Sequence, residues 1–423
     1  MIILKINRIN FIMISLVLTS CSVSKKIQKD LYASSAEEIY FKGISVLQAE
    51  TGESLIDLHE DMYFTPASNV KLFTLYTAWK NLPDSIPAFD FVKKGDSLIL
   101  KGTANPLFLT DSLSVAALAF LKNSDENIYL TDDHIEDDVY GLGWSWDDYT
   151  YDYMPEKHLF PIYGNVISVD KAGDSIKVIP DFFKNKVHLT PSVKESRKKD
   201  ENEFYIEAPA DISNKKIPFK SSNQLVADLL SSELDRKVIL VNDNIDYQFK
   251  AFREVPYDTL YTRMMVNSDN FLAEQLMLRV GSVTKGTYSV SAAIQYALEN
   301  YMPDIPQKPR WVDGSGLSRY NLFSPKSMVY LLKKMYDEIP HDLLFSYFPR
   351  GGINGTLKND FRNQSYIYAK SGSLSNNYSL SGYLITKKGK VIIFSYMTNH
   401  FPSSSSNRKR EISAFLKKLH ESY

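Results

Sequence analysis

A chain of 423 residues exceeds what one hydrophobic core normally organises, so two or more domains are expected. Lys and Arg number 49 against 50 Asp and Glu, and a net charge of −1 gives no electrostatic case for a nucleic-acid partner. Hydrophobic residues at 44% and aromatic ones at 13% can fill sizeable cores, and 27 tyrosines suit a β-rich body.

At the N-terminus Lys5 and Arg8 precede the apolar run Phe11 to Leu18. That run is too short to span a bilayer and has the layout of a secretion signal. Leu18-Thr19-Ser20-Cys21 follows and resembles a bacterial lipobox, in which cleavage leaves Cys21 first for acylation. Cys21 is the sole cysteine, so no disulfide can form within the chain, and lipidation accounts for a lone exported thiol. The expectation is a signal over residues 1–21 and a lipid anchor that holds the protein to a membrane, its body facing the periplasm. Ser22 offers no inner-membrane retention signal, which points to the outer membrane. Residues 22–38 are polar and mixed in charge and read as a tether.

Beyond the tether, Ile44 to Leu47 and Ser54 to Leu58 are β-prone, with Glu50-Thr51-Gly52-Glu53 as a hairpin turn. Thr65 can cap a helix and Pro66 suits its first position. Leu72, Leu75, Tyr76 and Trp79 then form an apolar stripe. From about Phe91 to Phe249 short strand-like runs dominate, with one helix expected over Asn223 to Leu234. This middle reads as an accessory insert, 91–249, within a domain formed by 39–90 and 250–423. Near the C-terminus Tyr366 to Lys370, Leu380 to Thr386 and Val391 to Met397 are strand-like, and Lys387 to Lys390 turns the last pair. Asn407 to Ser422 reads as a helix with Ile412, Phe415, Leu416 and Leu419 on one stripe. Strands from both chain ends are expected to share one antiparallel sheet.

Three short elements carry the chemistry. Ser68-Asn69-Val70-Lys71, Ser268-Asp269-Asn270 and Lys370-Ser371-Gly372 read in order as S-x-x-K, S-x-N and K-[ST]-G, the active-site elements of serine acyl-transferases that react with penicillin. S-x-x-K recurs at Ser22, Ser196, Ser213, Ser282 and Ser406, and S-x-N at Ser221, Ser375 and Ser405, so order and context decide the assignment.

Ser68 and Lys71 lie one helical turn apart, on or beside the apolar stripe. Desolvation there disfavours a charged lysine, and a neutral amine can take the Ser68 proton. Ser68 also stands in the first turn, where its own N–H is free to bind an oxyanion. Ser268-Asp269-Asn270 precedes a helix carrying Phe271, Leu272, Gln275 and Leu276 and ending near Gly281. The triplet suits helix capping, and it also places Ser268 as a proton relay near Lys71 and Asn270 as a holder of a substrate amide. Lys370 is expected to end its strand, with Ser371, Gly372 and Ser373 in the turn beyond. Its cation suits a terminal carboxylate, the hydroxyls of Ser371 and Ser373 can hydrogen-bond that group, and the Ser373 N–H can serve as second oxyanion donor.

With these elements the chain resembles the peptidase S13 family, the D-alanyl-D-alanine carboxypeptidases and endopeptidases of class C, type-4 penicillin-binding proteins. Three further segments carry the likeness: Pro66 to Leu72, the D-G-S-G-L-S-R run Asp313 to Arg319, and Gly143-Trp144-Ser145-Trp146-Asp147-Asp148. The resemblance implies an α+β, multi-domain, penicillin-recognising serine transferase fold. Its antiparallel sheet is flanked by helices and joined by a helical subdomain, and a β-rich domain lies between the first two elements. It implies peptidoglycan stem peptides as substrates, β-lactam antibiotics as acylating ligands and no cofactor. It further implies that Asp148 binds an amine of the stem peptide, with Tyr153 and Arg319 lining the same subsite. The chain departs from the family at Gly102-Thr103-Ala104-Asn105-Pro106-Leu107, which lacks an aspartate, and in a somewhat short insert. A β-lactamase on the same fold and a weakly catalytic envelope binding protein are the rival readings. No H-E-x-x-H, no metal-ligand spacing among the seven His, no G-x-S-x-G and no phosphate loop is present.

Overall fold

The structure, a computed structural model, describes residues 24–32, 39–110, 114–173, 175–207, 211–242 and 247–423. Lys5, Arg8, the apolar run and Cys21 lie outside them. Part of the segment expected as a tether is helical: α1 spans 24–32. Ile27 is buried, Gln28 donates to the Asp57 carboxylate, and Asp30 pairs with Lys418, so this stretch packs on the body rather than standing off it.

Both chain ends build the central sheet, as alternation in their strands requires. β1 (Phe41–Gln48), β2 (Ser54–Leu58), β13 (Ile367–Leu374), β14 (Asn377–Ile385) and β15 (Val391–Asn399) form an antiparallel sheet in the order β13-β14-β15-β1-β2. Along β15 the period of two sends Ile393 and Met397 into a core shared with the helices, and Ile392, Phe394 and Tyr396 into the opposite core. The second core is closed by α10 (Ser405–Ser422), whose buried residues are Ile412, Phe415, Leu416 and Leu419, the stripe read from the sequence.

The other face carries the helical part. α2 (Lys71–Asn81), α5 (Tyr257–Asn267), α6 (Asn270–Lys285), α7 (Val290–Asn300), α8 (Pro325–Glu338) and α9 (His341–Tyr347) pack around Phe73, Leu75, Leu276, Met277 and Leu332. Thr65 does not cap α2. Its N–H is held by Asn399 Oδ1, and a 3-10 turn, Ala67–Val70, starts after Pro66 without a side-chain cap. Competition from the end of β15, where Asn399 stands, removes Thr65 from the helix.

Between α2 and α5 the chain forms three more sheets. β3 (Ser85–Lys94), β4 (Ser97–Lys101), β5 (Asn127–Thr131), β11 (Val238–Val241) and β12 (Lys250–Pro256) make a mixed sheet in the order β11-β5-β4-β3-β12. α3 (Val115–Lys122) links β4 to β5, and α4 (Asn223–Leu234), capped by Ser222, covers the span read as helix. β6 (Val166–Ala172), β7 (Ser175–Ile179) and β10 (Ile212–Pro218) form a three-stranded sheet, and β8 (Val187–Thr190) pairs with β9 (Phe204–Glu207). This part has its own core of Phe89, Leu100, Phe108, Phe160, Phe183, Phe219 and Leu230. Its sheet reaches past the expected limits of 91 and 249, because Ser85 and Pro256 are paired neighbours and the chain leaves beside the point at which it enters.

Candidate active site

Two segments meet the edge strand β13 to form the site. The 3-10 turn carries Ser68 and delivers Lys71 to the start of α2. The α5–α6 junction carries Ser268, whose φ of 57° reverses the chain, and Asp269 caps α6 by accepting from the Leu272 N–H. β13 carries Lys370, Ser371, Gly372 and Ser373. The expectation that Lys370 ends its strand is corrected: all four residues lie inside β13, paired with β14, and the chain turns only after Leu374. The Ser371-Gly372-Ser373 triplet has turn composition, but the ladder to β14 holds it extended. As an edge strand β13 leaves alternate N–H groups without a ladder partner on its outer side.

Two glycines let the segments close. A Cβ on Gly372 would stand 2.4 Å from the Pro66 carbonyl oxygen and 2.9 Å from the Ser68 nitrogen. Gly316, at φ 83°, leaves space that a Cβ would fill at 1.9 Å from the Ala67 carbonyl oxygen. Between them Ala67 adopts φ 49°, a strained setting immediately before Ser68.

Lys71 is fully buried and its Nζ has three neighbours: Ser68 Oγ at 3.0 Å, Asn270 Oδ1 at 2.7 Å and the Ser315 carbonyl oxygen at 2.6 Å. The last two are pure acceptors. A neutral amine spends its two N–H groups on them and turns its lone pair to the Ser68 hydroxyl, the one neighbour able to donate. Burial lowers the Lys71 pKa to about 8, against the opposing pull of Asp313, Asp269 and Glu274.

Lys370 is equally buried. Its Nζ donates to Ser268 Oγ at 2.8 Å and to the Ser371 carbonyl at 2.7 Å. Burial, and then the neighbouring Lys71, hold it well below the usual lysine range. It is therefore not an open cation, and Ser268 takes its hydrogen bond from Lys370 rather than from Lys71. Ser371 Oγ donates to Thr356 Oγ1 at 2.8 Å, and Ser373 is exposed at the strand edge.

The inserted part reaches the site through one loop. Asn270 Nδ2 donates to the Tyr153 carbonyl at 2.9 Å, so this side chain spans Lys71 and the insert. Asp148, in the turn Trp146–Thr150, stands near the Tyr153 phenol, whose pKa rises through burial and then this carboxylate. Arg319 is exposed, and its backbone N–H donates to the Gly143 carbonyl at 3.2 Å. Asp148 and Tyr153 are thus brought together, whereas Arg319 meets the insert at Gly143 through its backbone.

Several residues of the site have no role assigned from the sequence, though Asn69, Trp144 and Asp313 fall within its motifs. Asp313 accepts from the N–H groups of Gly316 and Ser318, from Asn321 Nδ2 and from Trp144 Nε1, which ties the D-G-S-G loop to the insert. Asn69 Nδ2 donates to Ser381 Oγ and pins the serine turn to β14. Thr356 and Glu274 complete the set. Glu274 is readable in retrospect as a carboxylate four residues after Asn270 on an otherwise apolar helix face.

A family model for the D-Ala-D-Ala carboxypeptidase 3 (S13) family matches residues 24–419. The chain is 23% identical over 427 residues to penicillin-sensitive carboxypeptidase A of Dictyostelium discoideum, covering 84% of this chain and 81% of that protein. It is 24% identical over 415 residues to D-alanyl-D-alanine carboxypeptidase DacB of Haemophilus influenzae, covering 84% of each. The crystal structure of penicillin binding protein 4 from Haemophilus influenzae superposes with a TM-score of 0.74 at 21% identity, over 91% of this chain and 97% of that one. The fold is that of a penicillin-recognising serine transferase with an inserted domain. With the family model matched from α1 into α10, across all three active-site elements, the chain belongs to the D-Ala-D-Ala carboxypeptidase 3 (S13) family.

Proposed function

We propose that Ser68 is the nucleophile of a serine-type D-Ala-D-Ala carboxypeptidase or D,D-endopeptidase that acts on peptidoglycan stem peptides and is acylated by β-lactams. The observation that carries this reading is the placement of Lys71 Nζ, with two carbonyl acceptors on one side and the Ser68 hydroxyl on the other. Lys71 takes the Ser68 proton as the Oγ attacks the carbonyl of the penultimate D-Ala. The N–H groups of Ser68 and Ser373 face the developing oxyanion, a term worth roughly 100- to 1,000-fold per donor. Ser268 hands a proton to the departing amine and is reprotonated through Lys370 by the proton that Lys71 took from Ser68, so that Lys71 is neutral again. Asn270 holds the peptide amide, and Ser371 and Ser373 take the terminal carboxylate with Lys370 behind them. Water then cleaves the ester with Lys71 as base. Asp148, with Tyr153 and Arg319, receives an amine of the stem peptide.

The test is incubation of the body lacking residues 1–21 with benzylpenicillin, intact mass measurement and peptide mapping. An adduct on Ser68 supports the reading, and a folded sample without adduct refutes it. Turnover of a chromogenic β-lactam at β-lactamase rates would favour that rival instead.

The leader belongs to the same proposal. Cys21, after its lipobox, is acylated and anchors the protein to the outer membrane with the body in the periplasm. Metabolic labelling with an alkynyl fatty acid should mark the wild type and not Cys21→Ala, and equal labelling would refute the anchor.

A further inference from the structure

Glu274 stands one turn beyond Asn270 on α6 and is 1% exposed. One carboxylate oxygen, Oε1, accepts the Ser315 N–H at 2.7 Å, and the other, Oε2, is buried with no partner. The carbonyl of that same Ser315 accepts from Lys71 Nζ at 2.6 Å. A single residue's backbone therefore separates a buried carboxyl from the general base. A carboxylate with an empty lone-pair side in a dry interior is costly unless it offsets a charge nearby.

The charged groups around the pair come from every packed element. Lys71 stands on α2, Asp313 on the D-G-S-G loop, Asp269 at the start of α6, and Lys370 on β13 beyond Lys71. Lys157 approaches from the insert, held at 3.4 Å by Asp137. Asp313 accepts from five donors, the Ser315 hydroxyl among them, whereas Glu274 accepts from one. Burial, then Asp313, push the Glu274 pKa up to about 7, and Lys157 and the Ser315 N–H oppose them.

We propose that Glu274 is a positioning residue for Lys71: through the Ser315 backbone it orients the amine, and its carboxylate stabilises the ammonium that forms when Lys71 takes the Ser68 proton. Glu274 touches no reacting atom. It sets how basic Lys71 is, and hence where on the pH scale acylation switches on. This inference rests on Lys71 as the base for Ser68.

The experiment is the pH profile of the second-order rate constant for benzylpenicillin acylation, measured on wild type and Glu274→Gln. Gln keeps an acceptor for the Ser315 N–H and removes the charge. Without that charge Lys71 loses its proton more readily. The acid limb should move to lower pH by about half a unit, about threefold in proton affinity, and the alkaline plateau should fall because the base is weaker. A limb at the wild-type pH, whatever the plateau, overturns the proposal, since a merely structural glutamate lowers the rate at every pH alike. Infrared difference spectra of the wild-type protein between acid and alkaline pH give a second readout that does not depend on the variant folding. A buried carboxylate band that shifts on 13C-glutamate labelling and persists over the pH range in which Lys71 is an ammonium is expected, and a Glu274 carboxyl that is protonated throughout that range overturns the proposal. Failure of wild type to form the Ser68 adduct would refute the reading of Lys71 instead, so the two failures are distinguishable.

Discussion

The Ser268 hydroxyl lies 2.8 Å from Lys370 Nζ, whose charge is disfavoured by burial and then by the neighbouring Lys71. The sequence order suggests Ser268 as a partner of Lys71, but the αL turn at Ser268 aims its side chain at β13. In the mechanism proposed above Lys370 and Ser268 act as one unit, the lysine orienting the hydroxyl and returning to it the proton given to the leaving group. Ser268→Ala and Lys370→Ala should each slow acylation by benzylpenicillin about 100-fold or more, the size of a lost proton-transfer group. The double variant should be little worse than either single one, since residues working as a unit lose their effect together. Multiplicative losses in this cycle would separate the two residues.

A depressed Lys71 pKa makes the rate rise with pH. Burial places that value at about 8, so the ammonium, which cannot accept the Ser68 proton, dominates below it and the amine above. Acylation should climb about tenfold per pH unit below about 8 and level off above it, until other groups titrate. Stopped-flow acylation between about pH 6 and pH 9 checks this, and a flat profile over that window would be incompatible with Lys71 as the base.

Much of this site was legible because its elements carry local signals. The α10 stripe of Ile412, Phe415, Leu416 and Leu419 repeats with helical period and lands on one core. The hairpin turn at Gly52 and the helix from Asn223 carry turn and cap residues that act within a few positions. What was misread depends on distant partners. Thr65 reads as a cap until Asn399, remote in sequence, takes its N–H. Ser371-Gly372-Ser373 reads as a turn until pairing with β14 holds it in a strand. The tether was misjudged because Ile27 and Gln28 find partners on β2 and the second core that no local pattern announces. Glu274 and Asp313 matter through burial, which composition does not reveal.

Gly372 is where chemistry and packing coincide. Any Cβ there would push against the Pro66 carbonyl oxygen at 2.4 Å, a backbone atom that cannot rotate away, and against the Ser68 nitrogen at 2.9 Å. Gly372→Ala must therefore move β13 and the serine turn apart, and the two oxyanion donors with them. Acylation should drop about 100-fold, the loss expected of one misplaced donor. Thermal unfolding should shift far less, because β13 is an edge strand whose ladder to β14 is untouched. Wild-type acylation by this variant would mean that the close approach plays no part in forming the oxyanion site.

Asp148 separates peptide recognition from acylation itself. Its carboxylate stands near the phenol of Tyr153, the residue whose backbone carbonyl receives Asn270 Nδ2. An amine on the third residue of a stem peptide would meet this carboxylate, whereas benzylpenicillin carries no such group. Removing the carboxylate should therefore weaken one ligand and spare the other. Asp148→Ala should lower kcat/KM for a stem peptide bearing a free amine about tenfold or more, in the range of a lost charge-assisted hydrogen bond. The effect on an N-acetylated version of that peptide and on benzylpenicillin should be within about twofold, since neither offers the cation that the carboxylate would pair with. Equal losses on all three ligands would mean that Asp148 supports the Tyr153 loop and, through Asn270, the catalytic centre, rather than binding substrate. Tyr153→Phe completes the comparison. It removes the phenolic oxygen beside Asp148 but leaves the carbonyl that holds Asn270, so a loop effect should appear in Asp148→Ala and Tyr153→Phe together, and a substrate effect in Asp148→Ala with amine-bearing peptide.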